Sequence, residues 1–248
     1  MITFSRYSFD PNQMISFENS TEKLRKIVIK QEGTIEDCFG ALQVKNDSNG
    51  SKIWIHFFLG PFGCSKSSLL LLFFFFLNKI NTLIQFKMDF ANKYLGGGVL
   101  NTGCVQEEIR FMICPELIVS SLITERLNDR ECVQIKGCER FSNYKGYASS
   151  FKWSGNYADK TPRDNWQRMF THLLVVDALY FGQRDHQFRA EQMRRELDKC
   201  FVGFCRKVND EQANLPAIAT GNWGCGAFNG DKQLKCELHF LSTSFYLI

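Results

Sequence analysis

The chain has few histidines and no Cys-X-X-Cys spacing. It has 4 histidines among 248 residues, and its 10 cysteines are scattered along the sequence. Zinc domains are normally built from closely spaced cysteine pairs together with histidines, so the sequence excludes a zinc-based fold, and we expect neither a metal nor another cofactor. Scattered thiols are typical of a reducing compartment rather than of a disulfide framework, and many should pack in the core.

Long apolar runs are also absent. The most apolar stretch, residues 69–77 (LLLLFFFFL), is far shorter than the roughly 20 residues of a membrane-spanning helix, and Lys66 and Lys79 flank it. The first residues show no signal-peptide pattern of basic, apolar and small-residue regions. We therefore expect neither a membrane span nor secretion, and a membrane-tethered protein that uses residues 69–77 is the weakest alternative.

The overall composition is that of an ordinary globular protein. Hydrophobic residues make up 44% of the chain and charged residues 23%. A chain of this length can bury one well-formed core, so we expect a single domain over residues 1–248. The net charge of +4 permits an acidic polymeric ligand without requiring one.

The most informative segment is residues 89–108, where Asp89, Glu107 and Glu108 surround three consecutive glycines at 96–98. Glycine has no Cβ, so such a loop can approach a bulky anionic group closely. Together with residues 221–228, these glycines are candidates for an anion-binding nest. Carboxylates beside such loops favour cleavage of a glycosidic bond in a nucleotide-like sugar. The simpler interpretation is a solvated first helical turn and two tight turns.

Periodicity predicts alternating strands and helices, which implies an α/β layer fold with a largely parallel sheet. One amphipathic helix should begin near Gln106 and bury Ile109, Met112 and Ile113. The predicted strands are residues 24–29, 131–136, 172–179 and 215–220, and residues 141–147 are a predicted loop. Further helices are predicted at 191–206 and 231–241. Another helix should begin at Pro115, with Leu117, Ile118, Leu122 and Ile123 on its apolar face.

The order of motifs resembles the poly(ADP-ribose) glycohydrolase family. Three glycines, seven residues and then Gln106-Glu107-Glu108 match that family's signature, as does the segment 219–228, ATGNWGCGAF. Shorter matches follow the family's order at residues 2–6, 32–36, 109–111, 115–118, 144–147 and 193–197, so the resemblance covers about 1–44 and 89–240. It implies a macrodomain-like three-layer α/β/α fold with a mixed, largely parallel central sheet.

The resemblance also implies residue roles. Glu108 is the expected general acid that protonates the departing ribose oxygen and then helps to activate water, Glu107 should hold ribose hydroxyls, and Asp89 completes the acidic cluster. The other substrate contacts that it implies are Ile35 and Glu36 at the adenine, Asn92 at the ribose nearest the cut, Gly96, Gly97, Gly98 and Gln106 of the signature, Tyr144 and Tyr147 over the ligand, and Asn222, Gly224, Cys225, Gly226, Ala227 and Phe228 around the diphosphate.

The chain departs from the family pattern in two places. In the family, the strand that ends like Val44 runs directly into the segment of Asp89, whereas here residues 45–88 intervene. Alternating apolar residues at 84–88 can replace the lost strand and leave 45–83 as a surface loop. The favoured hypothesis is a retained intron, because GTAA can encode Val44-Lys45 and pyrimidine-rich codons encode 69–77. The family's last core strand and its helical accessory domain are also missing, so we expect an incomplete sheet.

The expected activity is hydrolysis of ribose–ribose O-glycosidic bonds in poly(ADP-ribose), with release of ADP-ribose. The expected partners are poly(ADP-ribose) and ADP-ribosylated proteins, and we expect no sequence-specific binding to nucleic acid and no membrane binding. The protein is expected to be a monomer in the nucleus and cytoplasm. The alternative is a non-catalytic ADP-ribose-binding module or a truncated isoform. A segment at 60–67 resembles a phosphate-binding P-loop but lacks the glycine before its lysine, so we do not expect a P-loop there. Cys225 has no histidine near it in sequence, so we do not expect it to be a nucleophile. The arginines at 189–195 are interpreted as a solvated helix face.

Overall fold

The computed structural model describes residues 1–8, 27–30, 55–58, 85–204 and 217–244. Ile35, Glu36 and residues 60–77 lie outside these ranges. Seven strands form one sheet: β1 (Thr3–Ser8), β2 (Ile27–Lys30), β3 (Ile55–Phe58), β4 (Gln85–Ala91), β5 (Glu131–Lys136), β8 (Thr171–Asp177) and β9 (Ala217–Gly221). A separate hairpin consists of β6 (Ser142–Lys145) and β7 (Lys152–Asn156). The α-helices are α1 (Gln106–Ile113), α2 (Ser120–Ile123), α3 (Ala190–Phe204) and α4 (Lys232–Ser244), and short 3₁₀ helices cover Pro115–Val119, Ala148–Ser150 and Arg184–Phe188.

The strand order of the sheet is β1-β5-β8-β4-β9-β3-β2. Strands β8, β4, β9, β3 and β2 run parallel to one another, whereas β5 is antiparallel to both β8 and β1. The predicted mixed, largely parallel sheet is therefore confirmed. Because β4, β8 and β9 are parallel, their carboxyl ends meet at one edge, which is where open α/β sheets bind ligands.

Strand β8 separates two cores, because its side chains point alternately to the two faces of the sheet. Leu174 and Val176 pack with Cys200 and Phe204 of α3, in the same core as Phe86, Met88 and Trp223. Leu173 and Val175 pack on the opposite face with Ala91, Phe111, Ile113, Val133 and Ile135. With helices on both faces, the molecule has the three-layer α/β/α arrangement that was expected.

The segment 45–88 contributes two strands to this sheet. In β4, the buried Phe86 and Met88 confirm the predicted alternation. Strand β3 (Ile55–Phe58) pairs with β2 on one side and with β9 on the other, so this part of 45–83 is not a surface loop. Strand β9 is consequently paired on both sides, by β4 and β3. The intron origin of 45–88 stays a prediction.

Two predicted elements differ from the structure. The helix from Pro115 is a 3₁₀ helix followed by the single turn α2, and Leu122 and Ile123 are 84% and 61% exposed instead of packed. A 3₁₀ turn holds three residues, so it rotates the predicted apolar face away from the core. The predicted loop at 141–147 contains β6, whose partner β7 was not apparent from the loop's composition.

The remaining predicted strands and helices are confirmed where the structure describes them, with ends shifted by a few residues. Strand β2 covers the second half of the predicted strand 24–29, and the rest of that strand lies outside the described ranges. Helix α1 begins at Gln106 as predicted, but its buried face includes Arg110 and Phe111 as well as Ile109 and Ile113. Among the described helices, none is long and apolar enough to cross a membrane.

Candidate active site

A tight loop connects the carboxyl end of β4 to α1. The Asn92 side-chain oxygen accepts a hydrogen bond from the Tyr94 N–H at 3.0 Å, and the Gly97 N–H donates to the Tyr94 carbonyl at 3.2 Å. Gly96 and Gly97 have φ angles of 88° and 50°, in the left-handed region where only glycine is unstrained. We call Gly96, Gly97 and Gly98 the glycine loop.

The Glu107 carboxylate accepts two hydrogen bonds from the backbone of this segment. Its Oε1 accepts the N–H of Gly96 at 2.7 Å, and its Oε2 accepts the N–H of Asn92 at 2.8 Å. The side chain is almost completely buried, with 2% exposure. Both backbone donors are thereby paired, and the loop is fixed to the first turn of α1.

Glu108 reaches the other side of the loop. Its Oε1 accepts the N–H of Gly98 at 2.9 Å, and its Oε2 accepts the N–H of Val105 at 3.0 Å, which caps the start of α1. Glu108 is 7% exposed and is thus nearer to the surface than Glu107. The two neighbouring carboxylates have different partners, as expected for residues about 100° apart on a helix.

The glycines are required because the backbone passes against these carboxylates. A Cβ on Gly97 would lie 2.5 Å from the Glu108 Oε1 and 2.8 Å from the Glu107 Oε2. A Cβ on Gly103 would lie 2.7 Å from the Glu108 Oε1, and the Gly103 N–H donates to the Gly98 carbonyl. Sequence reasoning missed Gly103, although its place in the short loop before α1 was a signal for it.

Burial and like charge act together on the acidic cluster of Asp89, Glu107 and Glu108. Burial raises the pKa of Glu107 well above its usual range, and the carboxylates of Asp89 and Glu108 raise it further, whereas the N–H groups of Asn92 and Gly96 oppose the shift. Asp89 is fully buried in β4. The site therefore favours the protonated form of the Glu107 carboxyl more than water does. No grouping suited to a metal ion occurs in the part of the chain that the structure describes.

Gln106 connects α1 to β4. Its side-chain oxygen accepts the N–H of Phe90 at 2.8 Å, and its amide nitrogen donates to the Met88 carbonyl at 3.1 Å. The residue therefore fixes the helix start beside the strand that carries Asp89. Its expected contact with substrate stays a prediction.

The second loop, residues 221–228, follows β9, the neighbour of β4 in the sheet. Trp223 anchors it, because the buried indole N–H donates to the Val176 carbonyl at 2.8 Å. Gly224 has a φ of 71°, and its carbonyl accepts the Gly230 N–H at 2.8 Å. Exposed Gly226 and Ala227 follow, so the loop offers backbone to a ligand at the same edge as the glycine loop.

Two of the predicted substrate contacts in this second loop, Cys225 and Phe228, have partners within the protein. The Cys225 N–H donates to the Asn222 carbonyl at 3.0 Å, and Phe228 lies edge-on to Tyr180. Burial raises the pKa of Cys225 to about 12, so its thiol is protonated at neutral pH and is not a nucleophile.

The two tyrosines lie on the hairpin and the turn that follows β6. Half-buried Tyr144 packs against the core on the α1 side, with its ring 5.6 Å from that of Phe151. Tyr147 is exposed, and its backbone N–H donates to the Ser150 hydroxyl at 3.0 Å. Of the two, Tyr147 is the one available to a ligand from solvent.

A buried ionic network, which sequence reasoning missed, lies at the end of β8. The two Asp177 oxygens lie 2.5 Å from the Lys199 ammonium and 2.7 Å from the Arg195 guanidinium. Arg195 also lies 2.6 Å from Glu196, whose other oxygen pairs with Lys235. The interpretation of the arginines at 189–195 as a solvated face is thus wrong for Arg195, because its long-range partner Asp177 on β8 draws it inward.

The network supports the second loop. The Lys235 ammonium lies 4.0 Å from the centre of the Trp223 ring, within cation–π range. A Cβ on Gly224 would lie 3.2 Å from the same ammonium. Glu196 also accepts the N–H of Leu179 at 3.1 Å. Lys199 and Lys235 are fully buried, which a helical pattern of isolated lysines does not reveal.

Comparisons with known proteins identify the family of this chain. Residues 77–246 match the family model described as poly(ADP-ribose) glycohydrolase, macro domain fold. Poly(ADP-ribose) glycohydrolase 1 of Arabidopsis thaliana is 37% identical over 222 residues, which cover 64% of this chain and 40% of that protein. Poly(ADP-ribose) glycohydrolase 1 of Caenorhabditis elegans is 40% identical over 174 residues, which cover 66% of this chain and 22% of that protein. The chain thus spans less than half the length of these relatives. It belongs to the poly(ADP-ribose) glycohydrolase family and has that family's macrodomain fold.

Proposed function

We propose that the protein hydrolyses ribose–ribose O-glycosidic bonds of poly(ADP-ribose) and releases ADP-ribose. The observation that carries the proposal is the pair of carboxylates, Glu107 and Glu108, which accept four backbone N–H bonds, two of them from the glycine loop. Family membership and the names of the relatives support the same activity.

The layout of the sheet edge supports a substrate orientation. The second loop would receive the diphosphate of the ADP-ribose unit, because it is exposed and glycine-rich at a strand end. The reacting ribose would then lie over the adjacent glycine loop, with Asn92 and Glu107 beneath its hydroxyls. Tyr147, exposed beyond β6, would cover the ligand. Ile35 and Glu36, proposed at the adenine, lie outside the described residues.

Glu108 is the proposed general acid, because it is the more exposed of the two helix carboxylates. It donates a proton to the departing ribose oxygen as the bond to the anomeric carbon breaks, through an oxocarbenium-like transition state. Water then adds to the anomeric carbon and returns a proton to Glu108. Glu107 and Asp89 place two further acidic groups beside it, and burial together with the Asp89 charge raises the pKa of Glu107.

The proposal extends to partners and location. Poly(ADP-ribose) and ADP-ribosylated proteins are the proposed partners, and the protein is proposed to act as a monomer in the nucleus and cytoplasm. Seven cysteines in the described residues are free thiols, which supports a reducing compartment.

Incubation with purified poly(ADP-ribose) tests the activity, with ADP-ribose release measured by chromatography. The unchanged chain should release ADP-ribose, and Glu108→Gln should lower kcat by about 10²–10⁴-fold, the usual contribution of a positioned acid. ADP-ribose binding, measured by calorimetry, should persist in that variant. The control is Glu237→Gln on the exposed face of α4, which should keep the parent rate. Binding without release by the unchanged chain would favour a non-catalytic module, and equal rates for Glu108→Gln would refute the assigned role.

A further inference from the structure

Two thiols meet at the end of α1 opposite to the acidic cluster. Cys114 is the C-cap of α1, and Cys138 follows β5. Both side chains are buried, and each thiol is in hydrogen-bond contact with the other. The Cys138 sulfur also lies 3.8 Å from the Thr171 hydroxyl at the start of β8. The pair is thus held by three separate elements of the fold.

A cavity opens beside this pair, and its walls are basic. Lys87, Arg110, Arg140 and His172 line it together with both thiols, and Asp159 is the acidic side chain in its wall. Its volume is about 30 Å³. A single water needs about 10–15 Å³ by this measure, so a molecule with two oxygen atoms fits. The cavity therefore gives a small oxidant access to thiols that are otherwise covered.

The charges around Cys114 favour its thiolate. The hydrogen bond from Cys138 lowers the pKa of Cys114 to about 7, burial opposes this, and Arg110 and Lys87 lower it further. The same hydrogen bond, together with burial, raises the pKa of Cys138 well above its usual range. Cys114 is thus the nucleophilic member of the pair, and Cys138 is the proton donor that can resolve its oxidised form.

We propose that Cys114 and Cys138 form a peroxide-reactive dithiol, an oxidative modification site that is separate from the acidic cluster. The Cys114 thiolate attacks one oxygen of a hydroperoxide, the O–O bond breaks, and hydroxide leaves, which gives a sulfenic acid on Cys114. The Cys138 thiol then attacks this sulfur, and water leaves as the disulfide forms. The two thiols are oxidised, and the peroxide is reduced to water.

The bond would join the last turn of α1 to the segment after β5. Glu107 and Glu108 lie on the first turn of the same helix, which is about 9 Å away at 1.5 Å per residue. The modification therefore constrains the helix that carries the acidic cluster without touching it. This inference does not depend on the proposed glycohydrolase activity.

Peptide mapping of the unchanged chain tests the proposal. The reduced protein is treated with hydrogen peroxide at less than one equivalent per protein molecule and is alkylated while folded. It is then unfolded, alkylated again and digested. A Cys114–Cys138 linked peptide should be the main product. Cys200, which is buried in the apolar core and has a raised pKa, should be alkylated only after unfolding.

Trapping of the oxidised intermediate gives a second measurement. In Cys138→Ser, the Cys114 sulfenic acid should accumulate and be trapped by dimedone once the protein is unfolded. Peroxide oxidation spread evenly over the cysteines, or irreversible oxidation of Cys114 with no linked peptide, would overturn the proposal.

Discussion

Two groups of buried carboxylates lie at the same edge of the sheet, and their partners differ. Glu107 and Glu108 accept hydrogen bonds from backbone N–H groups of loops. Asp177 and Glu196 instead face the cations Arg195, Lys199 and Lys235. The first group concentrates negative charge and raises the pKa of Glu107, whereas the second is neutralised.

This contrast shows that burial alone does not give a carboxylate a chemical role. A buried carboxylate with cationic partners holds elements together, here β8, α3 and α4 beneath the second loop. Burial beside other carboxylates instead raises the pKa of a carboxyl group, as it does for Glu107. The macrodomain edge contains one group of each kind, one beneath each loop.

The largest predicted effect concerns the ionic network. Lys235→Met should lower the free energy of unfolding by about 3–5 kcal/mol, because it leaves the buried Glu196 without its Lys235 partner. Denaturant unfolding of both proteins measures this difference.

The matched control for this variant is the double substitution Lys235→Met with Glu196→Gln. Removing the second charge should recover a large part of the lost stability, since no uncompensated charge then remains at the Glu196 position. Additive losses in the double variant would show that the two side chains are not coupled and that the network does not act as a unit.

A smaller effect is predicted for the glycine loop. Gly97→Ala should reduce the proposed glycohydrolase activity by about 10²-fold, because the new Cβ would overlap both carboxylates and the φ of 50° strains alanine. Kinetics on poly(ADP-ribose) test it against Gly182→Ala, where the added Cβ meets only the Tyr180 ring at 3.8 Å. Equal losses for both variants would contradict the special role of Gly97.

The smallest effect is a pH dependence of stability beneath the second loop. His239 lies between the Phe204 and Trp223 rings, and burial, helped by Lys235, lowers its pKa to about 3. A lowered pKa means that the folded state favours neutral His239, so its stabilising contribution is complete above the unfolded value of about 6.5 and is lost as pH falls towards 3.

The loss should amount to at most about 1.4 kcal/mol per pH unit in this window. Chemical unfolding of the parent and of His239→Gln between pH 7 and pH 4 measures it as a difference in slope. Parallel pH profiles for the two proteins would show that His239 is not held neutral.

The acidic half of this comparison was predictable from the sequence, and the ionic half was not. The start of α1, the glycines at 96–98 and the divergence of Glu107 from Glu108 depend on local chain geometry, which spacing encodes. Gln106 was recognised as part of the signature, but its two bonds to β4 require the position of a strand 16 to 18 residues away. Gly103 was missed because it must be glycine only on account of the Glu108 side chain that packs against it, and that contact is not visible in the sequence.

The other errors concern which side chains are buried and which are exposed. Lys199 and Lys235 look like solvent-facing helix lysines until β8 brings Asp177 and α3 brings Glu196 to them. Leu122 and Ile123 look like core residues until the 3₁₀ turn after Pro115 rotates them outward. For the two lysines the deciding contact joins segments that the sheet brings together, whereas for Leu122 and Ile123 it is the local change of helix type.

Direct titration of the Glu107 carboxyl by carbon-detected NMR tests the central claim that burial and neighbouring carboxylates raise its pKa. The account predicts a pKa well above the usual glutamate range in the unchanged protein, and a fall towards that range in Asp89→Asn, because one of the charges that raise it is removed. An ordinary glutamate pKa in the unchanged protein, with no response to Asp89→Asn, would contradict it.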